Sequence, residues 1–216
     1  MEKVTVLGAG SWGTALSMVL AENGHDTLLW TNRAEQAREI NEQHTNSQYI
    51  NNIKLPENLK ATTDLSVAAN HGDTLVVAVP TKAIREVCSK LNDVLQKEKL
   101  FVHVSKGIEP DTLLRISEFM KETLKPELLS NLVVLSGPSH AEEVVLQHPT
   151  TVSAACENLQ AAEKVQDLFM NHYFRVYTND DVLSVELGGA LKNVIALAAG
   201  IIDGLQYGDN AKAALI

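Results

Sequence analysis

The stretch VTVLGAGSWGTALSMVLAENGHDTLLW, residues 4–30, places three glycines between a strand-like apolar run and a helix-like run. Gly8, Gly10 and Gly13 form the pattern G-x-G-x-x-G, which is weak evidence when it stands alone. Here a strand precedes the pattern, a helix follows it, and a second strand comes at the expected distance. In this context the glycines predict a dinucleotide-binding turn.

The residues of this turn have different predicted roles. Gly8 permits the tight turn, Gly10 lets a pyrophosphate approach the backbone, and Gly13 lets helix and strand pack closely. Ser11 and Trp12 occupy the crest, where the backbone N–H groups at a helix N-terminus attract phosphate. We predict that all five residues contact the cofactor; the alternative is a glycine-rich turn without a ligand.

The end of the second strand bears on which dinucleotide is bound. Sites that prefer NAD usually carry an acid there, whereas this strand ends LLWTNR. Asn32 and Arg33 occupy the place, and Arg33 could pair with a 2′-phosphate. The sequence therefore favours NADPH over NADH, with a solvated Arg33 in a first helical turn as the alternative.

Strand-like and helix-like segments alternate along most of the chain. Short, mostly apolar strands separated by helices predict a parallel sheet covered on both faces. We therefore predict an α/β fold with a Rossmann-like, doubly wound, mostly parallel sheet over residues 1–180. The predicted strands are residues 4–7, 27–30, 74–79, 101–105, 132–135, 150–155 and 175–177, and the predicted helices are 14–22, 34–43, 83–95, 112–123, 141–146 and 159–170.

The pattern changes at residue 181. The segment DDVLSVELGGALKNVIALAAGIIDGL reads as one long helix that is apolar on nearly every side, which predicts burial on all faces. We predict that residues 181–216 are the N-terminal portion of an all-helical, substrate-binding domain. Because the chain ends inside another helical pattern, NAKAALI, we expect it to be part of a longer protein.

Two polar segments follow predicted strand ends, where ligands bind in this architecture. In VHVSKGI, Lys106 is placed to meet a phosphate or a carbonyl oxygen, although a lysine at a strand end is more often solvated. In LSGPSHAEE, a turn that contains Gly137 and Ser139 leads into a helix N-terminus, which suits an anion. Ser139 could equally cap that helix, and His140 has no evident partner in the sequence.

Lys192 is the most informative single residue, because it lies in a helix that is otherwise apolar around its circumference. Burying an unpaired ammonium group costs several kcal/mol, so a lysine there is expected to face a polar cavity. Such a setting favours a role in proton transfer. Asn193 could orient the substrate or the lysine. The alternative, equally weighted from the pattern, is that Lys192 reaches water from an exposed stripe.

Composition limits the remaining possibilities. The chain has 216 residues, 45% of them hydrophobic, and a formal net charge of -9, which argues against a nucleic-acid surface. Two cysteines without a CxxC spacing predict buried thiols in a reducing compartment. No signal peptide is evident, and the longest apolar run, residues 194–202, is too short to cross a bilayer. We predict a cytoplasmic protein, and no His, Cys or carboxylate cluster suggests a metal.

The segments GAGSWGTAL, SKGI, GPSHA and ELGGALKNVIALAAG, in this order, resemble the bacterial-type NAD(P)-dependent glycerol-3-phosphate dehydrogenase family. The resemblance covers the whole chain. It implies reversible reduction of dihydroxyacetone phosphate, a phosphorylated triose, to sn-glycerol 3-phosphate for phospholipid synthesis, with NADPH or NADH as cofactor. It also implies a homodimer at full length, with neither nucleic acid nor stable membrane insertion.

The resemblance further implies individual roles. Lys192 corresponds to the proton donor to the ketone oxygen, and Lys106 contacts both substrate and cofactor. The substrate is held by Gly137 and Ser139. The positions that match cofactor contacts are Ser11, Trp12, Asn32, Arg33, Tyr49 and Ala141. The family pattern continues past residue 216 with groups that grip the substrate phosphate, so we expect this chain to bind nucleotide but to be inactive alone.

Two other functions remain open from the sequence. One is another two-domain reductase, of the hydroxyacid or ketopantoate type, which would share the glycine turn and a helix-borne lysine. The other is a non-catalytic, nucleotide-sensing Rossmann module, which has no need of Lys192. Replacing Lys192 by alanine distinguishes an enzyme from a sensor.

Overall fold

A computed structural model describes residues 1–215 and shows a single sheet flanked by helices. The strands are β1 (Lys3–Leu7), β2 (Asp26–Trp30), β3 (Lys60–Thr62), β4 (Thr74–Val77), β5 (Lys99–His103), β6 (Leu129–Ser136), β7 (Thr150–Ala155) and β8 (Phe174–Asn179). Their order across the sheet is β3-β2-β1-β4-β5-β6-β7-β8. The first six strands are parallel to one another, whereas β7 runs antiparallel to β6 and is parallel to β8.

The helices are α1 (Ser11–Glu22), α2 (Ala34–Gln43), α3 (Leu65–His71), α4 (Thr81–Val94), α5 (Ile116–Thr123), α6 (Ala141–Val145), α7 (Leu159–Phe169), α8 (Val182–Gly204) and α9 (Asp209–Leu215). Two apolar cores lie on opposite faces of the sheet. One contains the buried side chains of α1, α6 and α7, and the other those of α3, α4 and α5. This arrangement confirms the predicted Rossmann-like, doubly wound fold.

The inner strands explain why the sheet forms where the sequence predicts it. Every residue of β4 and β5 is buried, as expected for parallel strands covered on both faces. The charged end of β5 is accommodated because Lys99 donates a hydrogen bond to the Gly72 carbonyl at 2.5 Å. All residues from Lys99 to His103 are therefore buried, and several polar residues that line a cleft lie in the loops after the strands.

Three local features differ from the predicted elements. β3 and α3 were not predicted, because both are short and carry little apolar periodicity. The helix predicted from residue 112 begins at Ile116 instead. Residues 109–113 form a turn in which the Leu113 N–H donates to the Glu109 carbonyl at 2.9 Å, and Leu113 has φ 58°.

The long helix α8 forms as predicted, but the prediction that it is buried on all faces is wrong. Among residues 182–204 only Glu186 is buried, and Val194 and Leu197 are 63% and 67% exposed. The reason is that α8 packs on β6 and β7 along one side only. By length and composition α8 could cross a membrane, with a mean hydropathy of 1.6. The predicted domain boundary, between residues 180 and 181, remains a prediction.

Candidate active site

The carboxyl ends of β1, β2, β4 and β5 open onto one cleft of about 840 Å³. The cleft lies where the strand order reverses, with β2 on one side of β1 and β4 on the other, which is where ligands bind in open parallel sheets. Its walls bring together most of the predicted site residues: Gly8, Gly10, Ser11, Trp12, Asn32, Arg33, Tyr49, Lys106, Ser139, Ala141 and Lys192.

The three glycines of the turn have different surroundings. Gly8 has φ +112°, and a Cβ added to it would lie 2.8 Å from the Ala78 oxygen. A Cβ on Gly13 would lie 1.9 Å from the Gly8 oxygen, so Gly13 serves packing and does not itself line the cleft. Around Gly10, no described atom outside its immediate neighbours comes within 4 Å of such a Cβ.

The open space beside Gly10 fits a dinucleotide pyrophosphate. α1 begins at Ser11, and no side chain in residues 1–215 caps its first turn, so these N–H groups are available to an anion. The turn therefore offers backbone donors, an exposed helix N-terminus and room for phosphate.

A buried polar network, which the sequence reasoning missed, holds the glycine turn in place. Gln36 Nε2 and Asn46 Nδ2 both donate to the Ala9 carbonyl, at 2.6 and 3.0 Å. Asn46 also donates to Thr14 Oγ1 at 2.8 Å, and Thr31 Oγ1 donates to Gln36 Oε1 at 2.5 Å. Polar residues in an amphipathic helix and a loop carry no sequence signal for such a role, because the contacts join separate segments.

The far end of the cleft is formed by Arg33 and the segment around Tyr49. The Arg33 guanidinium lies 5.8 Å from the centroid of the Tyr49 ring and hydrogen-bonds to Gln48 Oε1. Ser11 Oγ donates to the Tyr49 carbonyl at 3.0 Å, which ties this segment to the glycine turn. Arg33 is thus placed beside the tip of β2, where the sequence predicts recognition of a 2′-phosphate.

Lys106 leaves the sheet just after β5, in a turn that Gly107 makes with φ +134°. Its ammonium group donates to the Gly137 carbonyl at 3.0 Å and lies 3.4 Å from Ser139 Oγ. Burial, and then the positive charge of Lys192, lower the pKa of Lys106. Lys106 and Lys192 place two cations in one cleft, which favours an anionic ligand.

The turn of residues 137–139 contributes differently from the prediction. Gly137 does not line the cleft, since a Cβ added to it would lie 2.8 Å from the Thr151 oxygen. Its carbonyl instead holds Lys106, and it also accepts a hydrogen bond from Ser139 Oγ at 3.2 Å. Ser139 does not cap the following helix, because the N-cap residue is His140.

Lys192 faces the cleft from α8, as the sequence predicts, and its side chain is exposed to water. This exposure follows from the surroundings of α8, whose apolar circumference is largely open in residues 1–215. Asn193 is also exposed and is not among the residues that line the cleft. The sequence reasoning missed Glu186, although an acid in an apolar helix carries the same signal as Lys192.

The reversed strand order and the open glycine turn at the carboxyl edge of the sheet define a Rossmann-type dinucleotide-binding protein. The family model for the NAD-dependent glycerol-3-phosphate dehydrogenase N-terminus matches residues 3–162, and the model for the C-terminus matches residues 181–216. The chain therefore belongs to the NAD-dependent glycerol-3-phosphate dehydrogenase family, which confirms the resemblance seen in the sequence.

Curated relatives and solved structures agree with this assignment. The chain is 73% identical over its whole length to glycerol-3-phosphate dehydrogenase [NAD(P)+] of Lysinibacillus sphaericus and 61% identical to that of Bacillus subtilis. It spans 64% and 63% of their lengths. The structure of glycerol-3-phosphate dehydrogenase from Coxiella burnetii is similar with a TM-score of 0.88 at 36% identity, over 99% of this chain and 65% of that one.

Proposed function

We propose that the protein to which this chain belongs interconverts dihydroxyacetone phosphate and sn-glycerol 3-phosphate, with NADPH or NADH as the second substrate. The observation that carries the proposal is the presence of Lys106 and Lys192 in the same cleft as the open glycine turn. The names of the relatives support the reaction, because they are glycerol-3-phosphate dehydrogenases that use NAD(P)+.

Binding and orientation come from the chain itself. The Gly10 turn and the first N–H groups of α1 hold the pyrophosphate, and Arg33 holds a 2′-phosphate when one is present. This use of Arg33 favours NADPH. Lys106, fixed on the Gly137 carbonyl, presents its ammonium group to the substrate, with Ser139 beside it. The positive charge of Lys106 and Lys192 favours an anionic substrate such as the phosphorylated triose.

The proton step belongs to Lys192. When bound, the nicotinamide supplies a hydride to C2 of the ketone. The Lys192 ammonium stabilises the negative charge that develops on the ketone oxygen and donates a proton to it, which leaves a secondary alcohol and a neutral amine. Exposure of Lys192 to water in this chain lets the amine regain its proton from solvent.

We further propose a cytoplasmic homodimer that binds no nucleic acid and does not insert stably into a membrane. The charge of -9 supports the first exclusion. Two charged residues of α8 argue against its insertion into a membrane. The Glu186 carboxylate is bound by polar groups of the sheet domain, and Lys192 lies in the middle of the helix. Charged groups are costly at the centre of a bilayer. We therefore propose that α8 is a helix of the C-terminal domain and not a membrane span.

The binding test is titration of this chain with NADPH and NADH separately, following nicotinamide fluorescence. We expect both to bind, and NADPH more tightly. Absence of binding by either dinucleotide would contradict the assignment of the glycine turn.

The activity test is NADPH oxidation with dihydroxyacetone phosphate. It compares this chain with a chimera that adds the C-terminal third of the Lysinibacillus sphaericus relative. We expect turnover by the chimera and none by the chain alone. In the chimera, Lys192→Ala should abolish turnover while cofactor affinity is retained. A Lys192→Ala chimera that still turns over would refute the role of Lys192, and preference for a hydroxyacid substrate would favour the alternative reductase.

A further inference from the structure

Glu186 is the buried residue of α8, and four polar groups converge on its carboxylate. Oε1 accepts from the Ser117 N–H at 2.9 Å and lies 3.1 Å from His103 Nε2. Oε2 accepts from Ser117 Oγ at 2.5 Å and from Arg115 Nη1 at 2.8 Å. Only 5% of the Glu186 side chain is exposed. A buried carboxylate that accepts three hydrogen bonds, with His103 beside it, is strongly held in one position.

The contacts of Glu186 join α8 to two elements of the sheet domain. His103 is the last residue of β5, the strand that leads directly to Lys106. Arg115 and Ser117 lie at the start of α5. Burial of the Glu186 carboxylate opposes its ionisation, but His103 and Ser117 outweigh this effect and lower the pKa of Glu186 to about 2. The carboxylate therefore stays ionised and paired at neutral pH.

Gly189, one turn further along α8, brings the helix backbone against the cleft. A Cβ added to Gly189 would lie 2.7 Å from Ser136 Oγ and 3.6 Å from Lys106 Cγ. Lys192 follows another turn along, and residues at this three-residue spacing are neighbours on a helix surface. Glu186, Gly189 and Lys192 thus follow one another at intervals of about one turn along α8.

We propose that Glu186 is a positioning residue that fixes α8 on the sheet domain so that Lys192 is held opposite Lys106. The proposal rests on the proposed function, in which Lys192 is the proton donor. In residues 1–215 the apolar surface of α8 is largely exposed, so within this chain the burial of apolar side chains does little to hold the helix. The contacts of Glu186 with Arg115, Ser117 and His103, together with the close approach at Gly189, attach α8 to the sheet domain.

The primary test measures the position of Lys192 through its effect on Lys106, without requiring turnover. The lysine side chains of this chain are labelled with ¹³C, and the pKa of Lys106 is measured by NMR titration. The signal of Lys106 is assigned by its absence in Lys106→Met. Lys192→Met serves as the reference, because loss of its charge should raise the pKa of Lys106. We expect Glu186→Gln to raise the pKa of Lys106 as well, since a displaced α8 removes both the burial and the charge that lower it.

A second readout follows the backbone of α8 by hydrogen exchange. A hydrogen bond to a charged group is worth enough to change a local opening equilibrium tenfold or more, so residues 185–192 should exchange about tenfold faster in Glu186→Gln. NADPH affinity should change less than about twofold, because the hydrogen bonds and ion pairs of Glu186 within residues 1–215 do not involve the glycine turn. Urea unfolding establishes that the variant is folded under the conditions of both measurements.

Glu118→Gln is the matched control. Glu118 binds the same Arg115, at 2.9 Å through Nη2, but it lies on α5, and its hydrogen bonds and ion pair within residues 1–215 are to Arg115. We expect this variant to leave the Lys106 titration and the exchange of α8 unchanged. If Glu186→Gln does not fold, Ser117→Ala removes one contact to the carboxylate and should move both readouts in the same direction by a smaller amount.

Unchanged Lys106 titration in folded Glu186→Gln, or a change of equal size in Glu118→Gln, would overturn the proposal. So would a Lys192→Met variant that leaves Lys106 unaffected, because the two lysines would then not be held together. Failure of the proposed function is seen separately, as absence of NADPH binding by the unaltered chain or of turnover by the chimera described above. In that chimera, Glu186→Gln should lower kcat about tenfold or more and leave the KM for NADPH unchanged.

Discussion

Alanine at Gly10 should weaken cofactor binding without loss of stability, whereas alanine at Gly13 should lower the stability of the fold. Gly10 has φ -71° and ψ -179°, which alanine adopts readily, and its added Cβ would enter open space. Because alanine restricts the unfolded chain more than glycine does, Gly10→Ala should leave the free energy of unfolding unchanged or raise it by about 0.4–1 kcal/mol.

The same methyl group should weaken the binding of NADPH. It would occupy the space through which the pyrophosphate approaches the N–H groups of the turn. A hydrogen bond to a charged group is worth about 1.5–3 kcal/mol, so loss of one such bond should weaken NADPH binding about 10- to 100-fold.

Gly13→Ala should act mainly on the fold. Its Cβ would lie 1.9 Å from the Gly8 oxygen and 3.2 Å from Ala78 Cβ, so helix and strand must separate. Overpacking a tight site costs about 1–3 kcal/mol and occasionally more, and contact with backbone places this change at the upper end. A loss of about 3 kcal/mol corresponds to a fall in Tm of about 6–12 °C in a chain of this size.

Urea unfolding measures the change in the free energy of unfolding, and titration of the folded variants by NADPH fluorescence measures the change in cofactor affinity. Unchanged NADPH affinity in Gly10→Ala would show that the pyrophosphate does not approach the turn there. A Gly13→Ala variant as stable as the unaltered chain would show that the helix and strand are not packed as tightly as the structure has them.

Three further predictions concern other residues. Arg33→Leu should weaken NADPH binding about 10- to 100-fold and NADH binding less than about twofold, and equal losses in two parallel titrations would contradict recognition of a 2′-phosphate. Because the pKa of Glu186 is lowered from 4.5 to about 2, its stabilising effect is present above pH 4.5 and is lost as the pH falls toward 2. The difference in unfolding free energy between the unaltered chain and Glu186→Gln should shrink over that interval, and a constant difference in urea titrations would refute this. Burial raises the pKa of Cys88 to about 12 and also raises that of Cys156, so neither thiol should react with a disulfide reagent at pH 8 until urea is added; rapid labelling of the folded chain would contradict their burial.

Local patterns in the sequence determined most of the fold. The strand predicted over residues 150–155 and the helix predicted over residues 34–43 have those bounds in the structure. Both have strong periodicity and are set by neighbouring residues. β3 and α3 lack that periodicity, and the start of α5 depends on a turn that joins Glu109 to Leu113, so local patterns did not predict them.

The glycine turn could also be read from the sequence, because its function depends on a short, contiguous arrangement of strand, glycines and helix. The support of that turn by Gln36 and Asn46, and the attachment of α8 by Glu186, are contacts between distant segments that no local pattern encodes. Lys192 shows the same limit. Its sequence setting predicted a lysine that faces a polar cavity and left its exposure open, because exposure depends on what packs against α8. Only the tertiary structure decided that Lys192 meets Lys106 at the edge of an open cleft.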